Sequence, residues 1–177
     1  MKPCLLGWSR GALTRALAQV LASALLVGAL AGCTDELTVS SAACASGLRW
    51  NGGNEEHPEM NPGENCIQCH NKQDGPAFAI AGTVFADYAE ANDCYGTSGV
   101  TIEITGADNV VHTMKSNSAG NFYWNKNGGK IALPYKAAVI KNGKRSEMDT
   151  PQEDGSCNSC HTKDGIAGAP GRIVAPQ

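Results

Sequence analysis

Gly99-Val100-Thr101-Ile102-Glu103-Ile104-Thr105 alternates apolar and polar side chains at a period of two, the pattern of a strand with one buried face. Working outward toward the C-terminus, Gly106-Ala107-Asp108-Asn109 is a turn cluster. Val110 to Met114 reads as the next strand, with His112 and Met114 on one face. Ser118 to Asn121 turns into Phe122-Tyr123-Trp124, and Tyr135 to Ile140 runs into Asn142-Gly143, a favoured hairpin turn. Toward the N-terminus, Phe78 to Phe85 is β-prone. Strands this closely spaced predict a mainly β chain, a small antiparallel sandwich over residues 76–148. Its flanks, 46–75 and 149–177, read as loop-rich: Gly47 to Asn65 and Gly165 to Gln177 lack periodicity. Arg172, in that tail, reads as a solvated arginine, with pairing to a carboxylate as the alternative.

The chain has 177 residues, 42% hydrophobic and 18% charged, with 21 glycines and 8 prolines. That is room for one compact domain with appendages. It excludes a large multi-cofactor enzyme, a polytopic membrane protein and a coiled coil. With 14 basic against 17 acidic residues the net charge is −3. No basic cluster supports nucleic-acid binding.

Residues 1–32 read as an export signal. Lys2, Arg10 and Arg15 precede an uncharged run from Ala16 to Thr34 rich in Ala, Leu and Val. The run contains Leu30-Ala31-Gly32-Cys33. This string resembles the lipobox of bacterial lipoproteins, which implies acylation of Cys33 and a membrane anchor. A spanning helix is the competing reading; the small residues before Cys33 argue for cleavage instead. Thr34 follows Cys33, and resemblance to enterobacterial sorting then points to the outer membrane. Loss of the three basic residues takes the net charge from −3 to −6. Residues 33–45 read as a tether.

Two pentapeptides carry the chemistry: Cys66-Ile67-Gln68-Cys69-His70 and Cys157-Asn158-Ser159-Cys160-His161. C-x-x-C-H is the attachment signature of c-type haem. In these ten residues the chain resembles c-type cytochromes. The resemblance implies two covalent haems, with thioethers at Cys66, Cys69, Cys157 and Cys160 and proximal iron ligands at His70 and His161. Residues 46–75 and 149–177 are then two haem-attachment segments. A zinc site competes, but the pairs stand far apart in sequence, and zinc does not explain why both are followed by histidine. A thioredoxin-like dithiol would need a helix start in a βαβ frame, and no helical pattern is evident. With Cys4 in the signal and Cys33 acylated, Cys44 and Cys94 remain as an even pair, which in an oxidising compartment reads as a disulfide.

For the sixth ligands a weak internal repeat favours Met60 and Met148. Met60, Pro62 and Gly63 precede the first motif, and Met148, Pro151 and Gly155 precede the second in the same order. His57 and His112 are the alternatives. Methionine would raise the reduction potential relative to a second histidine.

Gly99-Val100-Thr101-Ile102, followed by Ser116 and Gly120-Asn121-Phe122, resembles the carboxypeptidase regulatory-like (transthyretin-like) sandwich. That resemblance implies a structural or binding module rather than chemistry. The expectation overall is an exported, lipid-anchored dihaem cytochrome that is not an enzyme, passing single electrons at the cell envelope to redox proteins of basic surface. The sandwich, lying between the motifs in sequence, would set the haem separation. The competing expectations are a haem peroxidase, which needs an open sixth position, and a binding module with auxiliary haems.

Overall fold

The computed structural model describes residues 57–91 and 94–177. The signal, Cys33, the tether, Cys44 and residues 46–56 lie outside the described residues. The elements, in order, are helix α1 (Cys66–Lys72), strands β1 (Phe78–Phe85), β2 (Thr101–Thr105), β3 (Val111–Lys115) and β4 (Asn121–Asn125), a 3-10 turn (Lys126–Gly128), β5 (Lys136–Lys141), β6 (Lys144–Glu147), a second 3-10 turn (Cys157–Ser159) and β7 (Ile173–Val174).

The described chain is mainly β, 32% strand against 11% helix. Two sheets form, in the orders β4-β1-β7 and β3-β2-β5-β6, an arrangement consistent with a small β-sandwich. The period-two segment is β2, with Ile102 and Ile104 buried and its threonines and Glu103 half-buried. It pairs antiparallel with β3 and with β5, placing Ile104 opposite His112 and Ala137. Asn142 and Gly143 both take positive φ, 52° and 76°, which matches the twist of the β5–β6 hairpin. Ile80, Val84, Val100, Ile102, Ile104, Phe122 and Tyr135 make the core, with both sheets contributing.

β1 does not alternate: Ile80 to Phe85 is buried without a break. A strand reads this way when both faces are covered. One face meets the other sheet; the motif-bearing segments cover what is left.

Three expectations change. The 46–75 flank is not all loop, because Asn65 caps α1 by accepting the Gln68 N–H at 3.0 Å. The C-terminal flank supplies β7, which pairs parallel with β1 at Val84–Ile173 and Phe85–Val174, so the sheets are not wholly antiparallel. Arg172 is not a solvated tail residue. It is 6% exposed, lies 4.2 Å over the Phe85 ring and donates from Nε to the Glu90 carbonyl at 2.9 Å. A weakly hydrated guanidinium stacks on an aromatic face at little desolvation cost.

Candidate cofactor-binding site

The first motif sits on α1. Positions i, i+3 and i+4 of a helix share one face, so Cys66, Cys69 and His70 project together. The second motif is built on the 3-10 turn, and the His161 N–H closes an α-type turn on the Cys157 carbonyl at 3.0 Å. Both motifs therefore sit on helical turns, the first on an α-helix and the second on a 3-10 turn. All four cysteines are half-buried free thiols.

The two histidines are held alike. His70 Nδ1 lies 3.0 Å from the Pro76 carbonyl oxygen, and His161 Nδ1 lies 2.9 Å from the Gly171 carbonyl oxygen. A carbonyl only accepts, so Nδ1 carries the proton in each ring and donates it. The neutral imidazole then has its lone pair on Nε2. This is how a metal-ligating histidine is oriented by its second partner. The His70 ring also packs on Phe78 at 4.6 Å between centroids, and Phe78 stacks on Tyr123 at 4.8 Å.

Beside the second motif a cavity of about 450 Å³ opens, lined by Cys157, Cys160, His161 and Met148 together with Tyr135 and Arg172. Its volume lies in the range of small-molecule and cofactor sites. Met148 thus shares one cavity with the motif it precedes. Met60 is half-buried, its carbonyl accepting from Asn121 Nδ2 at 2.8 Å. His57 is exposed. His112 stands edge-on to Trp124 at 4.9 Å, with a buried, unpartnered Nε2.

Burial pushes the Cys66 thiol up to about 11, and the neighbouring Cys69 and Glu64 charges add to this. Burial pushes Cys157 up to about 12, with charge on Cys66 next in importance and Asp154 after it. Both are neutral thiols at physiological pH, unlike the thiolate of a reactive dithiol. Tyr135, buried and donating to the Asp154 carbonyl at 2.7 Å, is likewise raised, by burial first and then by charge at Cys157. Cys94 is buried and disulfide-bonded; Cys44 lies outside the described residues.

The sequence separation of the two motifs gives a false picture of their distance. Ser156, just before the second motif, bonds through Oγ to Asn65 Oδ1, just before the first. Asn158 Nδ2 donates to the Glu64 carbonyl at 2.9 Å. Both segments pack on β1. The sandwich does not stand between the two sites; β1 brings them together. Among the described residues no three His, Cys, Asp or Glu side chains are grouped to hold a metal ion, so the two C-x-x-C pairs, though neighbours, do not make a four-thiol zinc set.

Asn158, Thr83 and Asn121 escaped the sequence reading. Thr83, fully buried, donates from Oγ1 to Asn121 Oδ1 at 2.7 Å and accepts the Gly63 N–H at 2.8 Å. Its own N–H donates to Asn158 Oδ1 at 3.2 Å. The one available signal was a lone threonine inside an apolar strand.

No protein-family model, curated protein or solved structure matches the chain.

Proposed function

We propose that the protein is an exported, lipid-anchored dihaem c-type cytochrome that carries single electrons at the cell envelope. The observation that carries the reading is the shared setting of His70 and His161, each with Nδ1–H tied to a backbone carbonyl and the Nε2 lone pair left for iron.

Cys66, Cys69, Cys157 and Cys160 would form the thioethers, and His70 and His161 the proximal ligands. Bound haem supplies a one-electron change between ferric and ferrous iron. The electron comes from a reduced redox protein and goes to an oxidised one; the acidic balance of the chain suits partners of basic surface. The chain's own part is to hold each imidazole in one tautomer, to bury the thioether positions and to fix the sixth ligand. Met148 is the sixth ligand favoured at the second site, because it lines the cavity with His161. Met60 would take that place at the first site, with His57 and His112 as the alternatives. Export and anchoring rest on residues 1–33 of the sequence.

Purified mature protein should show two haems per chain by pyridine haemochrome, and a near-infrared methionine band in the ferric state. Met148→Ala and Met60→Ala should each remove part of that band. A mass equal to bare polypeptide plus acyl chains overturns the reading.

A further inference from the structure

Two motifs separated by the whole sandwich in sequence end as neighbours, joined by two side-chain contacts. Asn158 is an intervening residue of the second C-x-x-C-H. It reaches out of its own motif to the Glu64 carbonyl, two residues ahead of Cys66, at 2.9 Å. Its Oδ1 accepts the Thr83 N–H at 3.2 Å, and its Nδ2 also approaches Thr83 Oγ1 at 3.3 Å. Both residues are buried. A second link joins Ser156 and Asn65, the residues directly before the two motifs. On β1, Gly82 leaves room for the second motif: a Cβ there would stand 2.9 Å from Cys157 Cβ. A backbone hydrogen bond from the Ala81 N–H to the Gly155 carbonyl, 3.0 Å, locks the approach to that motif along the strand edge.

We propose that the two attachment sites form one coupled redox unit, with Asn158 the positioning residue that holds them together. This rests on the dihaem reading. Each reduction adds one negative charge at its site. Between neighbouring sites, that charge acts on the other site. The second electron then enters less readily than the first, and the two midpoint potentials belong to the pair and not to either site, as with coupled titrations. The chain would deliver electrons in two unequal steps even with identical ligands at both irons.

The test uses mature protein carrying its covalent groups, with the haem count taken first. A count below two overturns the dihaem reading and this proposal with it. With two haems present, the Soret circular dichroism of the wild type should be a bisignate couplet. Potentiometric titration should resolve two steps. Asn158→Ala should weaken the couplet and narrow the step separation while the haem count stays at two. A single-signed Soret band in the wild type overturns the pairing alone. A couplet and step separation unchanged in Asn158→Ala overturn the role given to Asn158. If that variant does not accumulate, Asn158→Asp keeps the acceptor for Thr83 and loses the donor to Glu64, and is read the same way.

Discussion

A Cβ on Gly75 would lie 2.7 Å from His70 Nδ1 and 2.9 Å from its Cγ, so this position must be glycine for the ring to reach Pro76. Gly75→Ala should turn the His70 imidazole off the Pro76 carbonyl. Nitrogen NMR of the imidazoles should show the Nδ1–H tautomer for both His70 and His161 in the wild type, and its loss at His70 alone in the variant. The buried thiols give a pH dependence of known sign in haem-free polypeptide. Folding raises Cys66 to about 11 and Cys157 to about 12, above the unfolded value. The stability they contribute is full below the ordinary thiol range and is lost as pH rises through these values. Denaturant midpoints should fall between pH 9 and 12, and the fall should be shallower in a Cys66→Ala/Cys157→Ala chain. At this scale the motif residues were legible, because C-x-x-C-H is a local spacing. Asn158 and Thr83 were not, because their partners lie up to 94 residues away.

Among the elements, those with one wet face declared themselves. β2 and β3 show the period-two pattern that a half-buried strand imposes, and Asn142-Gly143 announced the hairpin joining β5 to β6. Gly143→Ala meets no neighbouring atom, so it tests the left-handed backbone alone. It should cost about 1–2 kcal/mol, measurable by chemical denaturation, with β5 and β6 still paired. β1 was recognisable as a strand from composition, but its burial on both faces depends on segments that arrive from either side of it. α1 spans seven residues, too few turns to establish a periodicity. β7 spans two and is a strand only because Val84 and Phe85 offer it an edge.

For the molecule as a whole, Thr83 is where distant parts of the chain converge: Gly63, Asn121 and Asn158 all bond to it. Thr83→Val keeps the shape and removes the hydroxyl, leaving buried partners unsatisfied. It should destabilise the fold by about 1–3 kcal/mol in equilibrium unfolding, more than the same change at half-buried Thr101. The sandwich was legible because a single segment's alternation fixes a strand and the spacing of turns fixes the class. The meeting of the two motifs was not, since linear distance says nothing about which strand two flanks will share. The parallel pairing of β7 with β1 ties two segments far apart in sequence along one strand edge. Ala175, two residues from the C-terminus, is a core residue, and the outer edge of β1 stays open until Ile173 and Val174 reach it. The edge of β1 therefore closes through a contact of long sequence separation, and such contacts form slowly.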